Sequence, residues 1–354
     1  MDINSVLKQA IESKSSDIFV IPGLPLTYKN NGKQDRKIDD GRLSAADTSE
    51  IIEKIYVLAG RDSSRIRPER ADDDFSFAIS DIGRFRVNIF HQRGSLAAVI
   101  RVIQFGIPSP EALGIPSEVM DVTKYRKGIV LVTGQAGSGK STTLACILDN
   151  INHTRTGHII TLEDPIEYVH NHGQCIVSQR EVYSDCESYE TALRSALRES
   201  PDVILVGEMR DTETIDVAMT AAETGQLLFS SLHTTGAANT IDRVIDAFPA
   251  EQQRQIRLQM SMQLMAVVSQ QLVPDIRGKL IPVFEIMHVN TAIRNLIRES
   301  KTHQIDAAIE AGSAIGMRTM DDALVQLYRN GKISKDTAFT YCLHHDSMVR
   351  KLGD

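Results

Sequence analysis

Gly134-Gln135-Ala136-Gly137-Ser138-Gly139-Lys140-Ser141-Thr142 is the stretch that decides how this chain is read. It fits G-x-x-x-x-G-K-[ST] in full, follows the apolar run Gly128-Ile129-Val130-Leu131-Val132-Thr133 and precedes Thr143-Leu144-Ala145-Cys146-Ile147-Leu148. Strand, glycine loop and helix in that order predict the phosphate-binding loop of a nucleoside triphosphate site. Glycines let backbone N–H groups close on a phosphate with no Cβ in the way, and the amino end of the following helix adds partial positive charge. Lys140 is then placed for the β- and γ-phosphates and Ser141 for Mg²⁺, so ATP and Mg²⁺ are the expected ligands. The bland alternative is a Gly-Ser loop that matches by accident, and the flanking strand and helix weigh against it.

Outward from the loop, residues 129–133, 158–163, 203–208 and 226–232 are strand-like runs separated by helical patterns. This alternation predicts an α/β fold, a mostly parallel sheet with helices on both faces and its chemistry at the carboxyl ends of the strands. The run from His158 ends in Glu163 and Asp164, with Pro165 enforcing the stop. Beside the loop strand, Glu163 or Asp164 faces the γ-phosphate and polarises water; without the loop the pair would be an ordinary strand end. Pro201-Asp202-Val203-Ile204-Leu205-Val206-Gly207-Glu208 has the form of a Walker B strand, and Glu208 is expected to hold Mg²⁺ through a water, although Asp is commoner there. Ser230-Ser231-Leu232-His233-Thr234-Thr235 follows, with His233 placed to sense the γ-phosphate. A lone strand-end histidine is otherwise structural.

The 354 residues suit two domains, and 42% hydrophobic residues are enough to bury both. Residues 1–104 read as a small α+β domain. It has a helix through Val6, Leu7, Ala10 and Ile11, a strand at 17–21, a polar stretch, a helix at 45–58 and alternating strands at 75–79, 84–90 and 97–103. Pro108, Pro110 and Pro116 with Gly106 and Gly114 predict an irregular linker, 105–117, ahead of a domain over 118–354. From about Glu251 the pattern turns helical, with Met260, Met262, Leu264, Met265, Val267 and Val268 expected in its core.

The mixed-sign run 61–74 is expected to be solvated surface. No apolar run approaches the ~18 residues of a membrane span, and the first residues lack signal character, so a cytoplasmic protein is expected. The four cysteines lack C-x-x-C spacing, and His170, His172 and Cys175 read as a solvated loop, not a zinc site. A net charge of −7 gives no basic footprint, so stable nucleic-acid binding is not expected.

Four segments together carry a resemblance: G-Q-A-G-S-G-K-S-T, T-L-E-D-P-I-E, I-L-V-G-E-M-R-D and T-A-A-E-T-G-Q-L-L-F-S-S-L-H-T-T. In that order they resemble the Walker A, aspartate box, Walker B and histidine box of the secretion/traffic ATPases, the motors of type II and type IV secretion and of type IV pili. Within that superfamily the chain is most similar to the pilus retraction ATPases, on residues 72–78, 84–88 and 195–202 and most sharply on Ala292-Ile293-Arg294-Asn295-Leu296-Ile297-Arg298-Glu299. The resemblance implies an N-terminal PAS-like domain joined to a RecA-like P-loop NTPase core with a C-terminal helical region, assembled as a homo-hexamer. It implies ATP hydrolysis that drives pilus retraction and twitching motility, at the inner face of the cell membrane against the pilus base and its inner-membrane platform protein. Glu163 then carries over as catalytic glutamate, Glu208 as the Walker B acid and His233 as the histidine-box residue. Arg86 and Arg101 match the arginines that such motors bring to the phosphates when their domains close. Gln226 stands where the family has the first histidine of its box, and Phe19 where it often has another.

Ile293, Leu296 and Ile297 fall on one helical face, whereas Arg294 and Arg298 are like charges four apart, which an acidic partner would relieve. They are the expected partner-coupling residues, against the plain reading of solvated arginines. Alternatives to retraction are an extension or secretion ATPase of the same superfamily, a RecA-like nucleic-acid translocase, and a regulatory module that holds ATP without turnover.

Overall fold

A computed structural model describes residues 2–30, 33–37, 41–62, 72–80, 82–103 and 106–353, in two compact units, 1–106 and 107–354. Most of the charged run 61–74 lies outside the described residues.

The first unit runs α1 (Ile3–Glu12), β1 (Asp17–Val20), β2 (Thr27–Asn30), β3 (Lys33–Lys37), α2 (Ala45–Leu58), β4 (Asp73–Ile79), β5 (Gly83–Gln92) and β6 (Ser95–Ile103). Its strands form one antiparallel sheet, β3-β2-β1-β6-β5-β4. Val6, Leu7 and Ala10 of α1 and Ile51, Ile52 and Ile55 of α2 share a core with Ile18, Phe85, Val87 and Ile100. Ser44 and Asp47 close a capping box that starts α2 at Ala45. The polar stretch after β1 contains the hairpin β2–β3. Its edge strand Lys-Gln-Asp-Arg-Lys has none of the apolar alternation that marks a strand in sequence.

The second unit opens with two short helical turns, α3 (Pro110–Leu113) and α4 (Ser117–Met120). The prolines and glycines read as a linker are the punctuation of α3: Ser109 caps it, Pro110 is its first residue, and Gly114 ends it at φ 75°. Ile115 is buried with Val119 and Val122 against the second unit's core, so the stretch packs as part of that unit.

Thereafter come β7 (Gly128–Thr133), α5 (Lys140–Thr154), β8 (Gly157–Glu163), β9 (Cys175–Glu181), α6 (Tyr189–Ala196), β10 (Val203–Glu208), α7 (Thr212–Glu223), β11 (Leu227–Leu232), α8 (Ala237–Asp246) and α9 (Ala250–Gln263). The chain continues through β12 (Leu264–Pro274), β13 (Leu280–His288), α10 (Thr291–Arg298), α11 (Ile305–Ala311), α12 (Met320–Arg329), α13 (Lys335–Tyr341) and α14 (His345–Leu352). The sheet order is β13-β12-β7-β11-β10-β8-β9, parallel throughout except for β13. Helix α5 covers one face, and helices α6 to α11 the other.

The purely helical reading of the region after Glu251 is corrected by β12 and β13. Val267 packs on one face of the sheet and Ala266 and Val268 on the other, so the run is apolar without alternation and its spacing imitates a helix. Met262, expected in the core, is half exposed.

Candidate active site

The glycine loop leaves β7 and enters α5, with Gly134 at φ 147°. A Cβ on Gly134 would land on the backbone carbonyl of Gln270, and one on Gly139 would come within 2.9 Å of the Gln270 amide nitrogen. The Gln270 Oε1 also accepts from Thr143 Oγ1 at 2.7 Å, so β12 forms the wall against which the loop is folded. Lys140 Nζ donates to the carbonyls of Gly134 and Gln135, both at 2.9 Å, and burial lowers its pKa. An ammonium held inside the loop and the unpaired, buried Ser138 hydroxyl are the groups that a bound phosphate would satisfy.

Around the loop lies a cleft of 290 Å³ at the carboxyl ends of β8, β10 and β11. It brings Lys140, Ser141, Glu163, Asp164, Glu208 and His233 together, the residues that were read from separate segments. Thr161, two residues back on β8, points the same way as Glu163 and donates to its Oε1 at 2.6 Å. Gln179 of β9 donates to the same oxygen at 3.2 Å. Burial nevertheless raises the Glu163 pKa to about 7.

Glu208 follows a bulge at Gly207, where Val206 and Glu208 pair with the adjacent residues Ser230 and Ser231 of β11. The bulge re-aims the strand end, and a Cβ on Gly207 would lie 2.9 Å from the Tyr189 hydroxyl. Glu208 Oε2 is 2.6 Å from Arg210 Nε and 3.5 Å from His233 Nε2. Glu163, Asp164, Glu167 and Glu208 outnumber Lys140 and Arg210 in the lining, an acidic balance that fits a hard divalent cation bound with phosphate.

The profile of the type II/IV secretion system protein family matches residues 1–307. This chain belongs to that family.

Among relatives in the type II/IV secretion family, the type IV pilus retraction ATPase PilT of Pseudomonas aeruginosa is 45% identical, over 96% of this chain and 97% of its own. A twitching motility protein of Neisseria gonorrhoeae is 44% identical over 88% of this chain and 83% of its own. The fold matches the crystal structure of the pilus retraction motor PilT with bound ADP at a TM-score of 0.90, with 42% identity and 99% of each chain covered.

Several residues of this family member gave no local signal in sequence. Tyr168, Tyr189, Arg210 and His170 line the cleft, and Gln179 and Gln270 hold its parts in place. His170, partly buried, has its pKa lowered by that burial and donates its backbone N–H to Gln179 Oε1 at 2.8 Å, while His172 in the same loop is exposed. Cys175, its neighbour in the metal reading, donates its thiol to the Arg155 carbonyl at 3.1 Å. Gln226 precedes β11, at the end of that strand opposite the cleft, and its Oε1 accepts from Thr224.

A second cavity, of 720 Å³, adjoins the loop at Gly139, Thr142 and Thr143 and is walled by apolar side chains including Leu113, Ile115, Leu272 and Ile281. The first unit holds Arg86 and Arg101 as directly opposed partners on β5 and β6. Arg86 is paired with Asp74 through two bonds, at 2.9 and 2.6 Å, and Arg101 with the buried Asp17 at 3.2 Å.

The two arginines of α10 separate in role. Arg294 Nη1 donates to the carbonyls of Ser261 and Met262 at the carboxyl end of α9, both at 2.7 Å, so it caps that helix. Arg298 is exposed, and its guanidinium donates to Asn295 one turn back.

Proposed function

We infer that this chain is an ATP-hydrolysing motor of type IV pilus retraction. The observation that carries the reading is one cleft joining the Lys140 loop, Glu163, Glu208 and His233, in a chain similar over nearly its full length to a retraction motor.

The loop residues Gly134 to Thr142 take the phosphates, with Lys140 turning its ammonium from the two carbonyls to the γ-phosphate. The apolar cavity beside Thr142 takes the base and ribose. Ser141 and, through water, Glu208 would hold Mg²⁺, and a bound ion would supply positive charge beside the phosphate oxygens. Glu163 is the general base and takes a proton from the attacking water; a pKa near 7 suits it to that work at neutral pH. His233, close to Glu208, orients the metal-side acid and the γ-phosphate. Arg86 and Arg101 supply further charge from the first unit, each leaving its carboxylate to do so.

Family likeness supports a homo-hexameric ring, cytoplasmic and peripheral at the inner face of the cell membrane, working on the pilus base and its platform protein. Arg298, free of the capping work done by Arg294, is the residue of α10 that faces the partner.

Lys140→Ala, made in the purified protein and in the cell, tests this reading. Hydrolysis falls to background and surface pili accumulate without retracting. Wild-type phosphate release from the variant would refute the assignment of the loop, and bald cells would make the chain an extension motor.

A further inference from the structure

Glu285, on β13, is 2% exposed and lies outside the nucleotide cleft, and no step above uses it. Its two oxygens serve two helices that are far apart in sequence. Oε1 accepts the N–H of Ala237, the first residue of α8, at 2.6 Å; Oε2 accepts the N–H of Met320, the first residue of α12, at 3.1 Å. Gly236 has no side chain with which to cap α8, so Glu285 caps that helix from another strand, and both helices turn their positive ends to one carboxyl.

His233 follows directly on β11, and the segment from it to α8 is secured three residues on. Gly236 donates its N–H to Ser269 Oγ of β12 at 3.0 Å, and the Thr234 and Thr240 hydroxyls are 2.8 Å apart. On the other side, Asp321 of α12 accepts the N–H groups of Leu343 and His344 at 2.8 and 3.1 Å, tying α12 to the start of α14. A buried acid is costly where packing alone is needed, because an apolar residue would fill the place more cheaply.

We propose that Glu285 is a positioning residue for hydrolysis, fixing the His233 segment on the sheet and making its place depend on the packing of helices α12 to α14. The inference rests on the cleft being the ATPase site with His233 part of it.

The test uses full-length Glu285→Gln and Glu285→Ala. Glutamine keeps one acceptor but sets an amide N–H against the other helix's N–H, so one cap is lost; alanine loses both. The expected result is a kcat about tenfold lower for Glu285→Gln. The Kd for a fluorescent ADP analogue stays within about twofold, because the side chain of Glu285 caps α8 and α12 and makes none of the contacts through which Gln270 backs the loop. Asp321→Asn lowers kcat in the wild-type background and adds little in Glu285→Gln, since both act through one junction. If Glu285→Ala does not fold, Glu285→Gln decides. The proposal is overturned by an unchanged kcat, by a Kd that weakens in step with kcat, or by additive effects with Asp321→Asn. Lys140→Ala, assayed alongside, separates the two failures: hydrolysis persisting there removes the cleft reading itself.

Discussion

At the scale of single residues, Glu163 acting as the proposed general base sets the acid limb of the pH profile. Its pKa near 7 is the outcome of burial, which disfavours the charged form, set against hydrogen bonds from Thr161 and Gln179, which favour it. A base must be deprotonated, so kcat/KM rises as pH increases through about 7 and is lost below it. Thr161→Val removes a bond that holds the carboxylate, so the pKa climbs and the acid limb moves to higher pH. A kcat/KM profile of the variant superimposable on wild type would assign the limb to another group. Residue chemistry alone left Glu163 and Asp164 both open and the family resemblance chose Glu163; both line the cleft, and Thr161 and Glu163 share a face at a spacing of two. Gln179 and Tyr189 were not legible, because they reach the cleft from β9 and α6, and nothing local marks a residue whose partner is distant.

At the scale of elements, legibility followed the strength of local signals. Helix α2, with its capping box and apolar stripe, was readable at both ends, as was the loop between β7 and α5. The buried strand β12 was not, since a run that is apolar on both faces has no period to read. That strand decides how the phosphate loop tolerates change. Gly134→Ala sets a Cβ against the Gln270 carbonyl, a backbone atom that cannot swing aside, at a φ of 147° that favours glycine. Nucleotide affinity is expected to fall by at least about tenfold, roughly 1.4 kcal/mol, and calorimetric titration with ADP measures it. Gly137→Ala meets no atom within 4 Å, so its cost is confined to backbone strain and is the smaller of the two.

At the scale of the whole molecule, chemistry must be joined to work, and α10 is where the two arginines divide. Arg294→Ala uncaps α9 and leaves two carbonyls without their charged donor, at a cost of about 2 kcal/mol in a denaturant titration. Arg298→Ala stays within about 0.5 kcal/mol of wild type, being an exposed surface change. Only Arg298→Ala is therefore expected to keep ATP hydrolysis and stability while cells stop twitching and accumulate pili. Retraction intact in those cells would place the partner contact elsewhere. Sequence alone joined these arginines as one basic face, because helical spacing cannot show that a neighbouring helix ends beneath one of them.

The wall behind the phosphate loop also sets an order of events during synthesis. Thr143 and Gln270, which are hydrogen-bonded, lie 127 residues apart in the chain. A ribosome adding about 5–20 residues per second exposes the loop roughly 10 s before the strand that backs it. A nascent chain that has emerged only as far as α9 thus carries every glycine of the motif and Lys140, but not the surface that shapes them. The motif therefore leaves the ribosome before the surface against which it is folded, and its final shape waits on β12.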